Sequence, residues 1–154
     1  MIKLIRATAL DCDRILSMQK EAFSELLEKY KDYDTSPATE SRERVESKLC
    51  DPDSYFYYVY LGGDAIGAVR IVDKKDGSRK RVSPIFVMKE HRGKGIAKEV
   101  FRIIEELHGE RNWKLDTILE EKGNCHLYES LGYKRTGRIE KINEKMNIVY
   151  YEKD

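Results

Sequence analysis

The sequence predicts a mixed α/β (α+β) fold, in which a mostly antiparallel, twisted sheet of about seven strands is flanked by about four helices. Three observations predict it. Apolar residues recur at three- and four-residue steps across 15–30 and again across 96–107, the spacing of two amphipathic helices. Three runs rich in β-branched and aromatic residues follow one another between 54 and 88, separated only by glycine-bearing turns, which is the pattern of antiparallel hairpins. A strand, a short helix and two further strand-like runs fill 114–154, so helices and strands are interspersed in a chain short enough for one domain, taken as 1–154.

Taken in order, 2–7 alternates as a first strand, and Asp11 then stands where a helix N-cap belongs. The helix after it carries Ile15, Leu16, Ala22, Phe23, Leu26, Leu27 and Tyr30 on one face. Residues 31–39, KDYDTSPAT, contain Pro37 and small polar residues, so they read as a loop. A more polar helix is expected over 40–49 and ends at Asp51-Pro52, because Pro52 forces its predecessor out of the helical region. The strands SYFYYVYL and AIGAVRIV flank a Gly-Gly-Asp turn, and Asp76-Gly77 turns the chain into a third strand, RVSPIFVM. Pro84 lies inside that third strand and has no N–H for a ladder, which predicts a bulge there. After Arg-Gly-Lys-Gly a helix runs from Ile96 to near Gly109, then a strand over 114–119 and a helix over 124–131 stopped by Gly132. The runs 133–139 and 147–154 supply the last two strands.

Composition excludes several classes. With 40% hydrophobic and 37% charged residues the chain fills a core and carries a heavily charged surface, unlike a disordered or fibrous protein. The 29 basic and 28 acidic residues leave a net charge of +1, so no global field gathers nucleic acid or an anionic membrane, and neither partner is expected. No run approaches the ~20 apolar residues of a membrane span, and the start MIKLIRATALDCD lacks a signal-peptide core; a cytoplasmic location is expected. Cys12, Cys50 and Cys125 are far apart, as are His91, His108 and His126, so neither a disulfide framework nor a metal site is expected. The basic run of Lys74, Lys75, Arg79, Lys80 and Arg81 reads as a solvated turn, and the tyrosines at 55, 57, 58 and 60 as packing on both sheet faces.

The residues that carry chemistry lie in the third strand and the turn after it: Ile85, Phe86, Val87, then Arg92, Gly93, Lys94, Gly95, Ile96 and Ala97. Two glycines between a strand and a helix permit a tight turn, and the new helix presents unpaired N–H groups and the positive end of its dipole, which together form an anion cradle. A Walker loop is excluded because Gly93-Lys94 is followed by Gly95, and the dinucleotide fingerprint fails at Lys98.

Arg92-Gly93-Lys94-Gly95-Ile96-Ala97 resembles the signature of the GNAT superfamily, the acetyl-CoA-dependent N-acetyltransferases, and the resemblance extends over the preceding strand and the segment Leu127-Tyr128-Glu129-Ser130-Leu131-Gly132-Tyr133. It implies the GNAT fold, acetyl-CoA as cosubstrate with its pyrophosphate on the turn amides, and a strand bulge that opens the sheet to the pantetheine arm. It also implies transfer of acetyl to a primary amine by direct attack, with no metal. Tyr128 falls where many relatives carry the phenol that protonates the leaving thiolate, the alternative being an ordinary core aromatic. Asp116 aligns with a carboxylate base of some relatives, the alternative being a structural carboxylate. Where many relatives have an asparagine on the pantetheine arm this chain has Glu121, with Asn124 out of register. Family members build the acceptor wall between the first two helices, which designates Tyr30, Tyr33 and Asp34, with Asp32 and Glu40 beside them, as substrate-binding. The acceptor, small molecule or peptide, is left open, and so is a homodimer. A non-catalytic acyl-CoA-binding regulator is the alternative function, and a nucleic-acid module on the basic hairpin is a more distant one.

Overall fold

Strands β1 (Ile2–Arg6), β2 (Ser54–Leu61), β3 (Asp64–Val72), β4 (Lys80–Val87), β5 (Trp113–Ile118), β6 (Lys134–Asn143) and β7 (Met146–Lys153) form one seven-stranded sheet in the order β1-β2-β3-β4-β5-β7-β6. The computed structural model that shows this describes residues 1–154. Every pairing is antiparallel except β4 with β5. Helices α1 (Cys12–Tyr30) and α2 (Arg42–Cys50) cover one face, and α3 (Ile96–His108) and α4 (Lys122–Ser130) the other. The predicted element order and fold class hold throughout. No helix is long and apolar enough to cross a membrane.

Alternation along the strands fills two cores. Val59, Val69 and Ile71 meet Val100, Phe101 and Ile104 of α3, whereas Phe56, Tyr58, Ala68 and Phe86 meet Ile15 and Ala22 of α1. Fully burying one of these valine, isoleucine or phenylalanine side chains contributes about 1.5–3 kcal/mol. Tyr55 and Tyr57 belong to the first face and Tyr58 and Tyr60 to the second. Gly67 on β3 is required by proximity, since a Cβ there would lie 2.2 Å from the carbonyl oxygen of Phe86 on β4.

Two irregularities open the middle of the sheet. Between the β3–β4 pairs Val69↔Ile85 and Ile71↔Val82, Arg70 alone opposes Ser83 and Pro84, so the bulge predicted at Pro84 is present. The buried Arg70 spans it, donating to Ser54 Oγ at 2.8 Å and to the Ser83 carbonyl at 2.9 Å. On the other side of β4, strands β4 and β5 pair only at Lys80↔Trp113 and Arg81↔Lys114 and then diverge, while β5 stays paired with β7 from Trp113 to Ile118. The basic hairpin run is tied down at this junction: Arg79 donates to the carbonyls of Trp113 (3.2 Å) and Lys153 (3.0 Å), and Lys80 to that of Arg111 (2.8 Å).

Candidate active site

The turn between β4 and α3 is built almost entirely from main chain. A single 3-10 turn, Lys89–His91, leads to Arg92, whose guanidinium folds back to donate to the carbonyls of Val87 (2.8 Å) and Ala22 (2.7 Å), clamping the turn to α1. Gly93 and Gly95 then take φ of +77° and +76°, values an L side chain rarely adopts, although a Cβ at either would meet nothing within 4 Å. The first N–H with a partner after Arg92 is Glu99, on the Gly95 carbonyl at 3.3 Å, so the amides of 93–98 donate to no protein group. Six consecutive free amides at a helix N-terminus are a concentrated anion site. Ile96 contributes only its main chain, its side chain being buried in the core.

From this turn a gap runs along the divergence of β4 and β5. Met88 N–H bonds the Ile66 carbonyl on β3, so by ladder alternation Ile85 and Val87 direct their main chain into the gap. Phe86 faces the other way, its ring edge-on to Phe23 of α1 at 5.6 Å. The gap opens into a cleft of about 320 Å³ whose lining includes Ile85, Asp116, Asn124, Tyr128, Glu140 and Tyr150.

Tyr128 sits on α4 with its ring against Phe101 (5.7 Å) and Tyr133 (6.2 Å), buried like an ordinary core aromatic, yet its hydroxyl has no hydrogen-bond partner in the protein. Burial and then the charge of Asp116 push its pKa above the usual phenol value, so it keeps its proton at neutral pH. Asp116 on β5 lies opposite Tyr150 and holds Arg81 Nη2 at 3.1 Å. Glu140 on β6 accepts from the Tyr150 hydroxyl at 3.4 Å. Glu121 is committed elsewhere: its carboxylate accepts from Lys29 Nζ at 2.8 Å and Tyr30 Oη at 2.5 Å, which leaves Asn124 as the amide in the cleft wall.

The segment after α1 does border the cleft, through Asp32, Thr35, Ser36 and Pro37. The three residues designated from sequence stand elsewhere. Tyr30 is buried, with its hydroxyl on Glu121 and its carbonyl accepting from Asn143 Nδ2 at 2.9 Å. Tyr33 is 60% exposed and Asp34 is also exposed, and neither is part of the cleft wall. The physical reason is the turn itself: the Asp32 carboxylate accepts from Thr35 N at 3.0 Å and from the Thr35 hydroxyl, which turns 32 and 35 inward and 33 and 34 outward. Glu40 lies under the wall, held by Gln19 and Lys48. Sequence reasoning missed Glu140 and Tyr150, and it placed Arg81 only in the basic run. Cross-strand alternation was the only signal for them.

The comparisons with known proteins agree with this architecture. Residues 14–133 match the family described as Acetyltransferase (GNAT) family. Rat N-acetyltransferase 8 is 31% identical over 106 residues, 64% of this chain, and the chain spans about half (48%) of the rat protein's length. Among solved structures, the spermidine N-acetyltransferase of Vibrio cholerae in complex with CoA and spermine superposes with a TM-score of 0.75 at 18% identity, covering 97% of this chain and 93% of that one. A putative streptothricin acetyltransferase of Bacillus anthracis in complex with acetyl coenzyme A has a TM-score of 0.57 at 19% identity over 68% of this chain and 64% of that one. With a match spanning most of its length and a sheet that opens after two paired residues, the chain belongs to the acetyltransferase (GNAT) family.

Proposed function

We propose that residues 1–154 act as one N-acetyltransferase unit that transfers acetyl from acetyl-CoA to a primary amine by direct attack. One observation carries the reading: the six free amides of 93–98 follow a strand whose Ile85 and Val87 main chain faces away from β3, and Ile85 shares the cleft wall with Tyr128, whose hydroxyl is free. The amides fit a pyrophosphate, and the strand edge fits an amide-bearing arm lying as an added half-strand. Acetyl-CoA supplies the acyl group on a thioester. When the amine nitrogen bonds to the acyl carbon and the carbon–sulfur bond breaks, Tyr128 hands its proton to the departing sulfur. Asp116, fixed by Arg81, takes the ammonium proton through water.

The cleft wall carries three carboxylates, Asp32, Asp116 and Glu140, against one cation, Arg81, which favours a cationic amine over a neutral acceptor. The amine named for the Vibrio cholerae neighbour, spermidine, is therefore a sensible first probe beside lysine, tryptamine and a free peptide N-terminus. Thiol release from acetyl-CoA that depends on one of these amines is the expected result. Calorimetric acetyl-CoA binding with no turnover of any amine would instead favour a regulator that reads acyl-CoA.

A further inference from the structure

The wall over the cleft is hung from very few anchors. Main-chain bonds within 32–40 are all local: Tyr33 N–H to Lys31, Thr39 N–H to Ser36, and Glu40 N–H to Pro37. The side-chain bonds of Asp32, Thr35, Ser36 and Thr39 also stay within or next to the segment. Hydrogen bonds that enter it from elsewhere come from two residues. Gln19 Nε2 donates to the Pro37 carbonyl and to Glu40 Oε1, both at 2.8 Å, and Lys48 Nζ reaches Glu40 Oε2 at 2.5 Å.

Gln19 is an odd residue to find there. It is fully buried on the face of α1 that also carries Ile15 and Ala22, and its own Oε1 has no partner. A buried amide satisfied on one end only is a poorer choice for stability than an apolar side chain of the same size. What it supplies is direction: one planar NH₂ group grips both ends of the 37–40 turn and fixes it to the helix below. Glu40 is held charged by Lys48 and Gln19, so the grip is a charge-assisted one.

We infer that Gln19 is the positioning residue that sets the acceptor wall, and through it the affinity for the amine, while leaving acetyl-CoA binding untouched. The inference rests on the reading of the cleft as an amine site. It is tested with Gln19→Met, which fills the same volume without the amide, by hydrogen exchange and by kinetics with spermidine as probe. Exchange across 32–40 should quicken about tenfold, with that across 93–98 unchanged, because only the wall loses its anchor. The KM for spermidine should rise about five- to tenfold, with the acetyl-CoA Kd within about twofold. Lys48→Met, on α2, should move the same readouts in the same direction if the first variant does not fold. Unchanged exchange at 32–40 in the folded variant overturns the inference, and so does an acetyl-CoA Kd that weakens as much as the amine KM. The exchange measurement needs no acceptor, so quickened exchange without any amine turnover upholds the wall's anchoring and faults the acetyl-transfer reading alone.

Discussion

The two sides of the candidate site are made in opposite ways. The turn at 93–98 presents main-chain amides, shaped by the conformations of Gly93 and Gly95, the start of α3 and the Arg92 clamp. The wall at 32–40 presents side chains, and the hydrogen bonds that reach it from outside come from Gln19 and Lys48, with Arg44 pairing Glu40 at 3.8 Å. A surface of amides suits a ligand that never changes. A surface of side chains on a two-point hinge suits one that differs between relatives, because substitutions there need not disturb the shared end.

The largest expected effect lies where the two sides meet. Tyr128→Phe keeps the ring packing against Phe101 and Tyr133 but removes the unpaired hydroxyl that this residue brings to the cleft. The substitution should lower kcat by about 10²- to 10⁴-fold with little change in the acetyl-CoA Kd. A drop under about threefold, with chemistry shown to limit the rate, would return Tyr128 to the status of a core aromatic.

Next in size is Gly95→Val. A Cβ at Gly95 meets no protein atom within 4 Å, so the fold itself has room for it, and the penalty inside the protein is the φ of +76°. Holding a non-glycine residue there costs roughly 1–2 kcal/mol, so the acetyl-CoA Kd should weaken roughly five- to thirtyfold by calorimetry while the KM for the amine stays put. Equal weakening of both would mean that the sides are not independent.

A smaller effect sharpens the other side. Asp32→Asn and Asp34→Asn make the same charge change two residues apart, one facing the cleft and one facing solvent. The first should raise the amine KM about two- to fivefold, the scale of a partly screened ion pair, and the second should leave it unchanged. A larger effect from Asp34 would move the acceptor outside this cleft.

The same contrast explains what could be read from the sequence. The cradle was legible because its causes are local: glycine at 93 and 95, and a helix starting at Ile96. The bulge at Pro84 was legible because proline lacks the donor a ladder needs. The wall was legible as a loop but not in its facing residues. Tyr30 shared the α1 periodicity with Ile15 and Ala22 and so was bound for the interior, while the inward turn of Asp32 depended on Thr35. Glu121, read against a family asparagine, turned out to be bound to α1 by Lys29 and Tyr30, a contact between residues 92 and 91 positions apart. No local pattern announces such a pairing.

The smallest effect concerns neither side but the scaffold that both share, and it is expected in stability alone. His108 ends α3, the helix whose other end forms the cradle. Its ring is edge-on to Tyr55 at 4.9 Å, with Nε2 2.9 Å from the Tyr57 hydroxyl and Nδ1 3.2 Å from Asp73 Oδ2. Burial lowers the imidazole pKa, and the Asp73 carboxylate only partly offsets it. Proton counting gives the sign. Below about pH 6.5 the unfolded chain takes up a proton on this histidine that the folded chain resists, so unfolding is drawn forward by acid. The stabilisation is therefore complete above the unfolded pKa and is lost as pH falls through it toward the lower folded value. The melting temperature should fall between pH 7.5 and 5.5, and His108→Asn should flatten that dependence without changing the acetyl-CoA Kd at pH 7.5. Because carboxylates such as Glu40, whose pKa is held down, lose their contribution only at lower pH, this window isolates the histidine. A wild-type melting temperature that is flat or rises on acidification across it would mean that Asp73 outweighs burial and holds the ring as an ion pair.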